Sequence, residues 1–290
     1  MIKKGIILAG GRGSRLYPLT TIISKQLLPV YDKPLIYYSL SALFQLDIKD
    51  ILIIINASDK TYFQSLLGDG SHWGVDIKYE LQKKPSGIGE AFLIGADFIG
   101  DDNVALMLGD NIFCNFDKIK QAHKKFEGGG MVFGITVDDP TRFGIAELDK
   151  SGNVLSIEEK PTHPRSNIAV TGLYFFDSSV VNITRNLLPS SRGELEISDI
   201  NRKYLQNNNL QLVMLDDSMA WFDTGTAESM LLASNYIDKI EREKGIKVGC
   251  LEEIAFSQGF IGKEELQLLI EKMPNCNYKK YLEGIVNYQE

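Results

Sequence analysis

Histidine and cysteine are scarce in this chain, three of each among 290 residues, and their placement excludes several chemistries. Cys114, Cys250 and Cys276 are odd in number and lack paired spacing, so neither a disulfide framework nor a zinc site is expected, and a reducing, cytoplasmic setting fits. His72, His123 and His163 lie far apart without ligand spacing and read as ordinary surface or core residues. No apolar stretch approaches the roughly 20 residues of a membrane span. The apolar run behind Lys3-Lys4 is only about five residues long, too short for the core of a secretion signal. Net positive charge is also missing: a formal charge of −7 argues against nonspecific binding to nucleic acid or an anionic membrane.

The positive charge that does exist is unevenly spread. Residues 1–33 carry six Lys or Arg against Asp32 alone, a balance of +5, which leaves −12 on the rest of the chain. Lys3, Lys4 and Lys33 fit solvated surface as well as a site. Arg12 and Arg15 lie within the stretch Ile6-Ile-Leu-Ala-Gly10-Gly11-Arg12-Gly13-Ser14-Arg15-Leu16. The apolar run Gly5 to Ala9 has the length of a buried strand, and three glycines within four residues then open a tight loop. Peptide N–H groups exposed by such a loop converge into an anion nest, and arginine adds charge and bidentate hydrogen bonding beside it. A phosphate chain is the expected guest.

The spacing excludes the two commonest phosphate loops. A Walker A loop needs Gly-Lys-Ser/Thr at its end, whereas Gly13 is followed by Ser14-Arg15. A dinucleotide fingerprint gains some support from Asp32 about twenty residues on, but it lacks its third glycine, and Pro18, Pro29 and Pro34 interrupt the required helix.

Downstream, strand and helix patterns alternate, which predicts an α/β fold with a parallel sheet. Expected helices are Pro34 to Leu46, Lys60 to Leu67, Ser86 to Phe98, Phe116 to Phe126, Ser178 to Leu187, Glu196 to Gln206 and Ala227 to Glu243. Expected strands include Ile51 to Ile55, Asp76 to Leu81, Asn103 to Leu108 and Met131 to Val137. Residues 143–176 change to short strands and turns, which implies a smaller, partly antiparallel portion. The last 45 residues read as helical. With 44% hydrophobic residues, one elaborated domain is the default. Ligands of open parallel sheets bind past the carboxyl ends of strands, where Gly10–Gly13, Gln82 and Asp110 fall. Asp110 and Asp223, each delivered by a strand end, could hold a hard cation that also takes phosphate oxygens, although sequence alone does not bring them together.

Leu8-Ala-Gly-Gly-Arg-Gly-Ser-Arg-Leu16, with Lys25 and Pro29-Val30 behind it, resembles the sugar-nucleotide pyrophosphorylases. The run Ser24-Lys-Gln-Leu-Leu-Pro-Val-Tyr-Asp-Lys-Pro34 is similar to the glucose-1-phosphate thymidylyltransferases among them, and the likeness extends to about residue 260. It implies a Rossmann-like, mostly parallel central sheet flanked by helices, with a sugar-binding portion at about 138–226, a nucleotide-binding part at 1–137 and a helical segment at 246–290. It implies in-line transfer: a glucose 1-phosphate oxygen attacks the α-phosphorus of dTTP, giving dTDP-glucose and pyrophosphate for deoxysugar synthesis such as that of dTDP-rhamnose.

Residue roles follow from the same resemblance. Arg15 would hold the departing pyrophosphate and Lys25 the α-phosphate, as the catalytic pair. Leu8, Gly10, Gly11, Gly13 and Ser14 would cradle the nucleotide, with Gln26, Gln82 and Gly87 on its base. Asn111, Gly144, Glu159, Lys160, Val170 and Arg192 would hold the sugar phosphate, and Asp110 and Asp223 magnesium. The family implies a homotetramer with a second nucleotide site that provides feedback. Two segments depart from its pattern. Pro85-Ser-Gly-Ile-Gly-Glu-Ala91 replaces Pro-Asp-Gly-Leu-Ala-Gln-Ala, which leaves base choice between thymine and uracil open. Asp217-Ser-Met-Ala-Trp221 replaces a Gly-Arg-Gly segment of the second site, so feedback would be altered or absent. The alternatives are a UTP-dependent or other nucleotidyltransferase and a catalytically silent subunit that binds sugar nucleotide. The retained Arg15, Lys25, Asp110 and Asp223 count against the silent subunit.

Overall fold

A computed structural model describes residues 1–11, 13–216 and 218–287; Arg12 and Asp217, on which two of these expectations fall, lie outside the described residues. The strands are β1 (Lys4–Ala9), β2 (Pro29–Val30), β3 (Lys33–Pro34), β4 (Asp50–Ile55), β5 (Asp76–Leu81), β6 (Val104–Leu108), β7 (Asn111–Phe113), β8 (Gly130–Thr136), β9 (Gly144–Leu148), β10 (Val154–Glu159), β11 (Ile168–Phe176), β12 (Leu210–Met214) and β13 (Trp221–Asp223). The helices are α1 (Leu35–Gln45), α2 (Lys60–Leu67), α3 (Glu90–Ile94), α4 (Ala96–Ile99), α5 (Asp117–Lys125), α6 (Ser179–Arg185), α7 (Ile197–Gln206), α8 (Ala227–Lys244), α9 (Leu251–Ser257), α10 (Lys263–Lys272) and α11 (Asn277–Asn287).

Nine strands form one sheet in the order β10-β9-β11-β6-β1-β4-β5, with β8 beside β11 and β12 beside β8. All of them share one direction except β10 and β11. Strands β1, β4 and β6 read as nearly continuous apolar runs because both faces of the sheet are covered. Successive side chains serve opposite faces. Ile7, Ile51, Ile53, Ile55 and Met107 join the core beneath α1 and α9. Ile6, Leu52, Ile54, Val104 and Leu106 join a second core with Ile197, Ile200 and Tyr204 of α7.

β11 bridges the parallel and antiparallel parts. Leu173 to Phe176 pair with β6, whereas Ile168 and Ala169 pair with β9. Its register against β8 shifts between Val170 and Tyr174, and this irregularity turns the strand over the end of β6. The short antiparallel pair of β7 and β13 sits at that same end.

One expected helix is shorter and broken. Residues 86–89 are loop, and α3 begins at Glu90, with Gly95 separating it from α4. The backbone of 86–89 is committed elsewhere: Leu195 N–H donates to the Ser86 carbonyl at 2.7 Å, and Gly89 N–H to the Leu195 carbonyl at 2.8 Å. Gly87 has φ +99°, outside the helical region.

The last three helices add Leu251, Ile254, Leu266, Ile270, Leu282 and Val286 to the core beneath α1. A charged clasp ties them down. The Lys33 ammonium, 3% exposed, lies 3.3 Å from Glu241 of α8 and pairs with Asp32, while Lys247 bonds Glu241 at 2.8 Å and also pairs with Asp32. Burial opposes ionisation of Asp32, but the Lys33 and Lys247 charges and hydrogen bonds outweigh it and hold its carboxyl below the usual range. Among the described residues no helix is long and apolar enough to cross a membrane.

Candidate active site

The carboxyl ends of β1 and β6 converge on a cleft of about 610 Å³ whose walls come from both halves of the sheet. On one side, Gly13 turns the loop at φ +60°, and a side chain there would also run into Thr20, whose hydroxyl donates to the Gly13 carbonyl at 2.8 Å. The short turn Ser14–Leu16 follows; buried Leu16 anchors it and leaves Ser14 and Arg15 on the cleft wall. The Arg15 guanidinium comes so close to Gly225 that a Cβ there would lie 2.5 Å from it. A second hollow of about 500 Å³ opens beyond the loop, lined by Gly11, Ser14, Thr20, Ser24, Asn56 and Asp59 among others. The glycine loop is the ridge between the two.

The two aspartates meet. Strand β7 pairs with β13 so that Asn111 lies opposite Asp223, and the next residue along, Thr224, donates its N–H and hydroxyl to the Asp110 carbonyl at 3.0 and 2.7 Å. Lys25 forms an ion pair with Asp110, and the Arg142 guanidinium lies 3.7 Å from Asp223. For Asp110, burial opposes ionisation, but the charge and hydrogen bond of Lys25 and the amide of Asn111 outweigh it and hold the carboxyl below its usual range. Asp223 is pushed the other way, by burial first and then by the Asp110 charge, with Lys25, Arg15 and Arg142 only partly offsetting both. Two adjacent, acceptor-only carboxylates, one of them incompletely compensated, suit a hard cation, which draws its remaining ligands from phosphate and water. Among the described residues no cluster of three or more acidic, histidine or cysteine ligands exists.

The opposite wall is polar and carries charges of both signs. Gly144 of β9 faces Glu159 of β10 in register, leaving room for the Glu159 carboxylate, which accepts from the Ser198 hydroxyl of α7. Lys160, in the left-handed region at φ +44°, lies 3.5 Å from Glu159 at the rim. Arg192 is held by two hydrogen bonds to Glu196, 2.8 and 3.1 Å long, and stands 3.9 Å from Glu159. Asn111 is 3% exposed: its carbonyl accepts from Gly172 N–H at 3.1 Å and the Trp221 indole at 2.6 Å, and its amide donates to Asp110 at 3.1 Å. Asn111 therefore orients the aspartate while its residue lines the cleft.

Of the expected residues, Ser14, Arg15, Asp110, Asn111, Gly144, Glu159, Lys160, Val170 and Asp223 line this one cleft. Lys25 reaches it through Asp110, and Gly10, Gly11 and Gly13 form the ridge, with Leu8 in the strand below accepting from Gly109 N–H at 3.0 Å. Gln26 is buried under Gly109 and accepts from Ser24 rather than standing on the wall. Gln82 is also buried: its carbonyl packs against Gly10, and its amide donates to Glu90 at 2.8 Å. Gly87 is where the 86–89 loop meets the segment of Leu195, since a Cβ there would lie 2.5 Å from the Leu195 carbonyl. Lys4 and Lys33 are spent elsewhere, on Asp102 and in the clasp. Arg142, Trp221, Ser198 and Asn201 also line the cleft. Arg142 precedes the Phe143-Gly144 segment by one residue, but an arginine in a Pro-Thr-Arg turn carries no signal of its own.

Residues 4–240 match the family model described as nucleotidyl transferase, and the chain belongs to that family. Its relatives narrow the class. A glucose-1-phosphate thymidylyltransferase of Xanthomonas campestris pv. campestris is 51% identical over 286 residues, 98% of this chain and 97% of the relative. One of Neisseria gonorrhoeae is 49% identical over 282 residues, 96% of this chain and 98% of that one. Among solved structures, a UDP-glucose pyrophosphorylase complexed with UDP-glucose superposes with a TM-score of 0.72 at 25% identity, over 82% of this chain and 99% of that one.

Proposed function

We propose that this enzyme joins dTTP to glucose 1-phosphate, releasing pyrophosphate and forming dTDP-glucose, at the cleft between the glycine loop and the Glu159–Lys160 wall. The observation that carries the reading is the pairing of β7 with β13, which brings Asp110 and Asp223 together in the cleft beside the glycine loop. A non-bridging oxygen of glucose 1-phosphate attacks the α-phosphorus; the new P–O bond forms as the bond to the bridging oxygen of the β-phosphate breaks, and that oxygen's electron pair leaves with pyrophosphate. The nucleophile is already anionic, so no general base is needed, and catalysis consists of positioning and charge neutralisation.

Asp110 and Asp223 would hold magnesium. When bound, this ion supplies positive charge against the phosphate oxygens. Lys25, released from Asp110, serves the α-phosphate, and Arg15 serves the departing phosphates. Lys160 and Arg192 at the rim hold the attacking phosphate, and Glu159 accepts from the sugar. Gln82 and Gly87 would serve the base once the Gln82 amide leaves Glu90; the imide edge that a glutamine amide reads is shared by thymine and uracil. A homotetramer working in the cytoplasm completes the reading.

Oxygen labelling tests the chemistry. Glucose 1-phosphate carrying ¹⁸O in its phosphate should deliver all of that label to dTDP-glucose, with one labelled atom bridging the two phosphorus atoms by ³¹P NMR. Label in pyrophosphate, or no labelled sugar nucleotide, would contradict attack by the sugar phosphate.

A further inference from the structure

Each of the two cleft aspartates is met by a basic side chain, but the two contacts are built differently. Lys25 pairs with Asp110 inside the site and is 12% exposed. Arg142 approaches Asp223 from the rim: its guanidinium is 3.7 Å away, beyond hydrogen-bond distance, and its side chain is 40% exposed. So loose and wet a pair is worth little to stability. The turn that delivers it is nonetheless well fixed. Asp139 caps the single turn Pro140–Arg142 by accepting from Thr141 N–H at 3.3 Å and from its hydroxyl at 2.7 Å. The Phe143 carbonyl accepts from Lys160 N–H at 3.0 Å, and the Phe143 ring packs at 5.3 Å against Trp221 of β13, the strand that carries Asp223. The backbone of Arg142 is thereby fastened beside Asp223, while its exposed side chain has room to turn along the rim.

A position of this kind suits a cation that is exchanged. A hard cation bound by Asp110 and Asp223 repels a guanidinium that lies 3.7 Å from the same carboxylate, so the two compete for Asp223. A displaced Arg142 needs another anion. Asp139 is committed to Thr141, and Glu159 to Ser198, with Lys160 and Arg192 already beside it. What remains is a substrate phosphate, which a planar guanidinium takes by two parallel hydrogen bonds. Resting on the metal-dependent transfer proposed above, we infer that Arg142 is a positioning residue that opposes metal at Asp223 while no phosphate is bound and moves onto the phosphate when one is. Metal and phosphate binding are then coupled through one side chain, and by linkage each strengthens the other by the same factor. The cleft takes up its metal with the substrate rather than ahead of it.

Manganese(II), a spectroscopically visible substitute for magnesium, tests this without turnover. Free Mn²⁺ is measured by electron paramagnetic resonance in titrations of the parent, Arg142→Gln and Arg142→Lys, each with and without saturating dTDP-glucose. Without dTDP-glucose, Arg142→Gln should bind Mn²⁺ about three- to tenfold more tightly than the parent, the size expected when one charge is removed near a divalent ion under solvent screening. With dTDP-glucose bound, the two should agree within about twofold, because the guanidinium is then neutralised by phosphate. Arg142→Lys keeps the charge and should stay within about twofold of the parent in both states. Unchanged or weaker Mn²⁺ binding by Arg142→Gln alone would overturn the inference and make Arg142 a structural residue. Tightening by the same factor with and without dTDP-glucose would overturn it too, since that marks a bystander charge that makes no move to phosphate. No Mn²⁺ bound by the parent in either state would sink the metal reading and the inference together. The expected Mn²⁺ pattern without pyrophosphate release from dTTP and glucose 1-phosphate would sink the transfer reaction and leave the role of Arg142 standing.

Discussion

Lys25→Ala removes the cation that Asp110 depends on, and its consequences can be followed through both stability and turnover. Lys25 and Asp110 are 12% and 16% exposed, so the pair is largely withdrawn from solvent. Breaking a buried pair by deleting one partner costs about 3–5 kcal/mol, and residual exposure puts this one nearer 2–3 kcal/mol. At about 2 °C per kcal/mol for a chain of this size, the melting temperature of the metal-free protein should fall by roughly 4–6 °C near pH 7. The pH dependence has a definite sign. Because Lys25 holds the folded-state pKa of Asp110 below its unfolded value, its stabilisation is complete above that unfolded value and disappears as pH falls through the folded one. Parent and variant should thus converge in acid, below about pH 4, and diverge above it. Adding magnesium should restore part of the lost stability, since it supplies the missing charge to the same carboxylates. Turnover should not return: a positioned charge of this kind is worth about 3–4 kcal/mol in the transition state, a loss of at least about a hundredfold in kcat. Thermal melts from pH 3 to 8 with and without magnesium, together with single-turnover pyrophosphate release, measure all three. Near-parental turnover, or a stability gap that persists unchanged into acid, would refute the reasoning.

Asp223→Asn should lose at least about a hundredfold in kcat while staying folded, and it should abolish the magnesium-dependent rise in melting temperature; a retained rise would place the metal elsewhere. Gly87→Ala forces a side chain against the Leu195 carbonyl at φ +99°, so the contact between the 86–89 loop and the segment of Leu195 should open and both KM values should rise; a change in only one would argue against coupling through Leu195. Glu241→Gln uncouples Lys33 and Lys247 from a buried carboxylate and should cost about 3 kcal/mol. Limited trypsin digestion should then cut within 246–290 before the rest of the chain; unchanged resistance would mean that the apolar contacts of α9–α11 suffice without the clasp.

The strands of the central sheet were legible because both faces are covered: Ile51 to Ile55 and Asn103 to Leu108 read as strands, and the glycines after β1 marked the loop. Asp110, Asp223 and the Glu159–Lys160 pair were visible as motif residues at strand ends. Their meeting was not, since the β7–β13 pairing joins segments more than a hundred residues apart and three residues of strand carry little pattern. Helix 86–98 failed at its start because apolar periodicity cannot reveal that Leu195 claims the backbone of 86–89. Gln26 is placed on the base only by the family resemblance, and the structure buries it under Gly109. Arg142 acquires meaning only from the cleft that it lines.

The most direct test of the central claim is pyrophosphate release with magnesium, running dTTP and UTP in parallel against glucose 1-phosphate and a small panel of other sugar 1-phosphates. Fast release with dTTP and glucose 1-phosphate, lost in Lys25→Ala and Asp223→Asn, is the predicted result. No release with any pair, from protein shown to be folded, would contradict it and make this cleft a binding site without transfer.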